Sequence, residues 1–479
     1  MNSLFFLIVF GVASTSSWGQ GLGSKFIQNI ASGWVEALSG KTCPEGLSFS
    51  KEDFAKTAEN IFLESTWDLS DSTLTSQVQK LVNDRPSFAC KRTKAELDLI
   101  AREFLNLKKA FLAKNISVGG GLIPALAVRA DLLQYLAEET LFVLSQNQKG
   151  RFEHFWSNTK YLSGDVLISK GGAGSSAFLT RLGDRPAFYS HAAVLWRSFD
   201  DNKFYLPEAF IEDGVKLRDA NQDYFPTAES KNQAGKRRLS VFRLLPEVPE
   251  LGDWHYHVEK FSLEVLEKPL PYDFASDVKD HSRFTCLEVP MYLAKNAKIS
   301  SPYPEAGWQK LTPVQKKFFE SLDSQIVETL PVPQGLETAG QPWNWVGFSI
   351  DLDQLLIDRV DGLVIDYFWQ YLANPKNSPT LKNILKKFEK ISSDEKVKSG
   401  LMLAAKKEGI QIPEGMNIKE ALFFGLLDKI VVVEIRKMVL DAHPGFVQEF
   451  GRPMTLNDLE FFIRLNIQTH FNKWKLLFD

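Results

Sequence analysis

The spacing of apolar positions along the chain changes character twice. Up to about residue 155 it follows a helical period. Ser50, followed by Lys51-Glu52-Asp53, has the form of a capping box, and Phe54, Ala58, Ile61 and Phe62 then fall on one helical face. Leu132, Leu133, Leu136, Leu141 and Leu144 mark a second amphipathic helix beyond the Gly119-Gly120-Gly121 breaker. From about Tyr161 the pattern shortens to strand-length runs with turn-forming flanks, at 165–168, 191–196, 203–206 and 239–245. These predict a small β-sheet, with Asp200-Asp201-Asn202 as a hairpin turn. Helical spacing returns at Trp254, Val258, Phe261 and Val265. A further helix begins between Thr285 and Glu288, because Pro290 fits only in a first turn.

Residues 331–342, rich in Pro and Gly, read as a linker, and Trp343-Asn344-Trp345 leads from it into long periodic segments. Asn417 with Glu420, and Thr455 with Asp458, are start signals for helices over 421–440 and 459–465. The apolar run at 430–433 is bracketed by Lys429 and Glu434 and reads as buried helix, not membrane anchor. The expected organisation is therefore a helical region over 20–155, an α+β domain with a small antiparallel sheet over 156–330, and a helical region over 343–479. Residues 4–13 form an apolar run too short to span a bilayer, followed by small residues and a cleavage site after Gly19. This reads as a signal peptide over 1–19, with a periplasmic or secreted mature chain.

A length of 479 residues, 44% of them hydrophobic and 24% charged, suffices for two or three domains with full cores. A net charge of −3 and the lack of a long basic run argue against nucleic acid as a partner. Chemistry enters through the three cysteines. Cys43 and Cys90 lie in the N-terminal region and can pair with each other, which leaves Cys286. An odd thiol in an oxidising compartment points to intermolecular pairing or to a reactive nucleophile. At a helix start, Cys286 would meet the positive end of the macrodipole and free N–H groups, which are expected to lower its pKa and to serve an oxyanion.

A base must come from elsewhere in the chain. Among seven histidines, His191 is the best framed, since it opens an apolar strand, whereas His154, His281, His443 and His470 lie in polar or helical surroundings. His255 and His257, two apart on a helix, point to different sides and cannot share an ion, so neither a metal nor another cofactor is expected. The hairpin would carry Glu208 to the start of the His191 strand, where a carboxylate can fix the imidazole tautomer. Spacing alone leaves a packing role open for each of these residues.

A wider set of motifs runs in order along the chain: Gly164-Asp165-Val166-Leu167-Ile168, the Gly/Ser-rich loop 171–176, Ser190-His191, Glu208-Ala209 with Gly214-Val215, Tyr272-Asp273-Phe274, and Phe284-Thr285-Cys286-Leu287-Glu288. This set resembles the YiiX/YebB-like branch of the NlpC/P60 superfamily, over roughly residues 160–305. The resemblance implies a circularly permuted papain-like core in which Cys286 is the nucleophile, His191 the base and Glu208 the orienting acid, with Glu212 as the alternative third member. It implies Ser190, Tyr272 and Asp273 beside the substrate. The implied chemistry is acyl transfer through a thioester, on a cell-wall peptide or an acyl lipid, with helical flanks that cover the cleft or bind a protein partner. The competing class is a catalytically silent exported interaction protein using the same core as a scaffold. Leu287 stands where a serine commonly follows the cysteine, Pro290 replaces an ordinary helix former, and 231–238 is a charged insertion.

The Cys43–Cys90 pair predicts that reduction raises the intact mass by about two daltons; an unchanged mass would remove the pair.

Overall fold

The computed structural model describes residues 22–39, 50–64, 92–116, 124–211, 213–225, 236–274, 278–322, 328–374, 396, 399 and 433–478. Its class is α+β, with small antiparallel sheets packed among helices. The larger sheet has five strands in the order β1 (Arg151–Phe155), β10 (Trp343–Asp351), β7 (Arg238–Leu244), β2 (Val166–Lys170) and β3 (His191–Val194). A second sheet orders β4 (Trp196–Arg197), β5 (Phe204–Phe210) and β6 (Gly214–Asp219), and β8 (Gln309–Lys310) pairs with β9 (Thr329–Leu330).

Side chains alternate across the larger sheet. Val166, Ile168, Ala192, Val194, Phe242 and Leu244 enter one core, while Leu167, Ala193, Leu239 and Val241 enter another on the opposite side. Both faces are covered, which is why 166–168 and 192–196 read as unbroken apolar runs. The first core also takes residues from α1 (Leu22–Ser39), α2 (Lys51–Glu59), α3 (Lys94–Ile116), α4 (Pro124–Ser145), α5 (Leu251–Glu267) and α6 (Glu288–Asn296). Within it, the rings of Trp34, Phe54 and Phe62 each meet Phe104 edge-on. Ser50 caps α2 by accepting from the Asp53 N–H at 3.1 Å. A separate core joins α7 (Pro313–Ser321), α8 (Leu355–Ala373), α9 (Val433–Phe450) and α10 (Leu456–Phe478), the last capped by the reciprocal Thr455–Asp458 pair.

The linker expected over 331–342 needs correction. Residues 333–338 form a buried 3₁₀ turn, and Trp343–Asp351 is a sheet strand flanked by β1 and β7, not the approach to a helix. Polar side chains of that turn tie the elements together. Gln334 accepts from the Phe188 N–H at 2.7 Å and donates to Asp131 at 2.5 Å, and Glu337 holds the buried Lys108 at 2.7 Å. The N-terminal helices thus share a core and buried polar contacts with the sheet. The signal peptide, Cys43, Cys90, Glu212, and Asn417 with Glu420 lie outside the described residues. Among the described residues no helix is long and apolar enough to cross a membrane.

Adjoining ends of β2 and β7 carry buried cations. Lys170 meets Asp358 at 2.7 Å, Arg237 meets Asp361 at 2.6 Å, and Arg238 meets Asp358 at 3.1 Å as well as Glu138 of α4. Arg436 of α9 closes on Asp361 at 2.6 Å. Burial alone would raise the Asp358 pKa, but Lys170, Arg238 and Arg237 together hold it well below the usual range. Removing this carboxylate leaves Lys170 buried without its partner and Arg238 with Glu138 alone. Asp358→Ala is expected to cost about 3–5 kcal/mol in chemical denaturation; a loss under about 1 kcal/mol would show that the cluster does not hold the fold.

Candidate active site

The edge strand β3 brings the candidate residues together. Ser190 donates its N–H to Ser169 O at 2.9 Å, fixing the start of the strand, and His191 lies opposite Ser169. After Leu195 the chain leaves the larger sheet and turns back through Asn202, whose φ of 61° an asparagine tolerates. The expected hairpin exists, but it joins β4 to β5 in the second sheet. Glu208 therefore reaches His191 by side chain from another sheet, not as a paired neighbour. His191 Nε2 and Glu208 Oε2 are 2.8 Å apart, and Tyr224 donates its hydroxyl to the same oxygen at 2.8 Å. Phe210 stacks on the imidazole at 4.8 Å between centroids. Lys236 lies over the Phe210 and Tyr224 rings at 4.7 and 4.9 Å, and Arg218 lies 4.3 Å from the Phe210 centroid.

Two glycines dock the cysteine-bearing segment onto this frame. Gly164, at φ +87°, accepts from Trp254 Nε1 at 2.9 Å through its carbonyl, and a Cβ there would lie 2.6 Å from that nitrogen. Gly214, at φ +72°, leaves no room for a Cβ beside the Leu270 carbonyl, which accepts from the Val215 N–H at 2.7 Å. From there Tyr272 bridges to Phe284, and Thr285 and Glu288 form a capping box: Thr285 Oγ1 accepts from the Glu288 N–H at 3.3 Å, and Glu288 Oε2 from the Thr285 N–H at 2.5 Å. Cys286 sits inside this box, in the expected helix start. Pro290 has no N–H to give the Cys286 carbonyl, and regular helix begins only at Glu288. Ala192, on the open edge of β3, donates its N–H to the Cys286 thiol.

The electrostatics differ from expectation. Burial pushes the Cys286 thiol up to about 11; the Ala192 N–H opposes this, while the Glu288 and Glu208 carboxylates add to it. The helix start does not lower the pKa, because the residue is only 7% exposed and the capping carboxylate already occupies the positive end of the helix. Burial, followed by the Lys236 charge, lowers the His191 pKa from its usual 6.5, overcoming the Glu208 contribution. Burial would raise that of Glu208, but the hydrogen bond and charge of His191, then Lys236 and Tyr224, leave it lowered. At neutral pH the group is thus a thiol, a neutral imidazole and a carboxylate. Since the carboxylate accepts from Nε2–H, the imidazole lone pair is on Nδ1. Among the described residues no hydrogen bond joins Cys286 to His191.

The other expected residues are placed differently from one another. Ser190 is buried and its hydroxyl is engaged by Ser176, Asp273 is buried, and Tyr272 is half-buried against Phe274. Tyr224 and Lys236 were not foreseen: no motif marks Tyr224, and Lys236 belongs to the stretch read as a charged insertion, whose last residues, Lys236 to Arg238, are buried. No group of three or more metal-ligating side chains occurs among the described residues. No protein-family model matches the chain, and no curated protein matches it either.

A thiol titrating near 11 should react with iodoacetamide at pH 8 roughly two orders of magnitude more slowly than a free thiol of pKa about 8.5. Peptide mapping of alkylated Cys286 measures this rate; one matching a free thiol would mean the sulfur is solvated or ion-paired.

Proposed function

We propose that the protein is a cysteine-dependent hydrolase or acyltransferase, with a permuted papain-like core of the NlpC/P60 type, in which Cys286 attacks an amide or acyl-ester carbonyl. The observation that carries this reading is the 2.8 Å contact of His191 Nε2 with Glu208 Oε2 beside a strand-edge N–H directed at the Cys286 sulfur. Glu208 fixes the tautomer that leaves Nδ1 as base, and a lowered imidazole pKa keeps that base unprotonated at neutral pH.

The sulfur is not pre-ionised, so its proton moves to Nδ1 as the sulfur attacks. The carbonyl π electrons pass to oxygen, and collapse of the tetrahedral adduct forms the thioester while His191 protonates the leaving group. Water or another acceptor then releases the acyl group. Catalytic hydrogen bonds are often long before substrate binds, and rotation of the Cys286 side chain toward His191 belongs to the proposed first step. Substrates of this class are cell-wall peptides and acyl lipids.

A second reading, a silent interaction scaffold, is favoured by the burial of the thiol and its raised pKa. Incubation with muropeptides and acyl-lipid reporters separates the two. Cys286→Ala and His191→Ala are expected to abolish turnover and Glu208→Gln to lower it about 10²-fold or more, and the acid limb of kcat/KM is expected below 6.5, the value from which burial and Lys236 lower His191. Absence of turnover in the wild type would favour the scaffold, and turnover unaffected by Cys286→Ala would remove Cys286 as the nucleophile.

A further inference from the structure

A recess of about 580 Å³ runs along the partly exposed side of α6, a volume in the range of small-molecule sites. Glu288, Met291, Tyr292 and Lys295, on successive turns, form one wall, and Lys298 and Ile299 close the end beyond the helix. Its apolar stretch is firm, since the Tyr292 ring meets Phe284 edge-on at 5.3 Å and Phe261 at 5.8 Å. Its basic end is uncompensated. Lys295 and Lys298 are exposed and form no ion pair among the described residues, and Lys295 Nζ lies 3.4 Å from an imidazole nitrogen, His281 Nε2, instead of an acid. The carboxylate on the wall, Glu288, is 4% exposed and accepts from the Thr285 N–H at 2.5 Å.

Lys298 also stands where the backbone disfavours it. The end of α6 is a Schellman turn: Ile299 donates its N–H to the Ala294 carbonyl at 2.9 Å and Lys298 to that of Lys295 at 3.1 Å, with Lys298 at φ 59°. Glycine is the default in that conformation, and a lysine carries a steric cost there. The other non-glycine residue at positive φ among the described residues is Asn202, of a type that tolerates it. A cation in the last turn complements the helix dipole, which accounts for Lys295. Glycine at 298 would satisfy the turn as well, so ending the helix does not account for the lysine.

We propose that this recess binds an anionic amphiphile, a carboxylate or phosphate head on an alkyl chain, with Lys295 and Lys298 at the head and Met291, Tyr292 and Ile299 along the chain. Basic end and apolar stretch follow one another along α6, the order of head and chain in such a ligand. The head lies at an exposed mouth, so salt screens its attraction to the lysines. Binding here requires no chemistry at Cys286.

Calorimetric titration of the full chain with decanoate and with decyl phosphate, each below its micellar concentration, tests this. A saturable site is expected for at least one of them, and the tighter ligand identifies the head group. Replacing both lysines, Lys295→Gln with Lys298→Gln, is expected to weaken binding about ten-fold. Met291→Trp, which fills the apolar stretch, is expected to weaken it as well. Lys298→Gly separates ligand binding from a structural role: it is expected to keep or raise Tm, by relieving the left-handed strain, and yet to weaken binding about three-fold. No saturable binding of either ligand, or unchanged affinity in the double variant, would overturn the proposal. So would uncharged decyl maltoside binding as tightly as decanoate, which would make the lysines irrelevant, or acetate doing so, which would make the apolar stretch irrelevant.

Discussion

Desolvation of charge at the adjoining ends of β2 and β7 is the constraint on which the rest of this fold depends. Lys170, Arg237 and Arg238 cannot remain buried without Glu138, Asp358 and Asp361, so α4 and α8 must lie where those carboxylates reach the strand ends. Arg238 also donates to the Phe188 carbonyl at 2.7 Å, three residues before His191. The same network that clamps helices onto the sheet therefore fixes the segment that presents the imidazole. Flank and site are parts of one electrostatic assembly.

Local signals were legible where local energy decides. Ser50 and Thr455 cap the helices they announce, Trp254, Val258, Phe261 and Val265 are buried along α5, and the strand-length apolar runs are strands. Illegible features depend on long-range pairing. Trp343–Asp351 follows a Pro/Gly-rich stretch and resembles the exit from a linker, yet its place is set by β1 and β7, far away in sequence. Glu208 was expected near His191 through a hairpin, but the chain crosses to a second sheet and the carboxylate returns across the gap. The helix end alone points to a lowered thiol pKa. Burial and a neighbouring carboxylate, neither of which has a sequence signature, reverse that direction.

A site whose thiol and imidazole are both uncharged at rest has a chemical character of its own. With the sulfur protonated and buried, the group resists oxidants and adventitious electrophiles, which attack thiolates. His191 is kept unprotonated by the same low-dielectric surroundings, so one cause suppresses charge on both partners. Glu208 carries the single charge of the proposed triad at rest, stabilised by His191, Lys236 and Tyr224.

Pro290 leaves the Cys286 carbonyl outside the helical ladder, where an ordinary helix former would bind it. A residue with an N–H at 290 would tether the Cys286 carbonyl into the helical ladder, whereas proline leaves the capping box of Thr285 and Glu288 to hold the turn from either side. In the proposed first step, turning the sulfur away from Ala192 breaks one N–H···S contact.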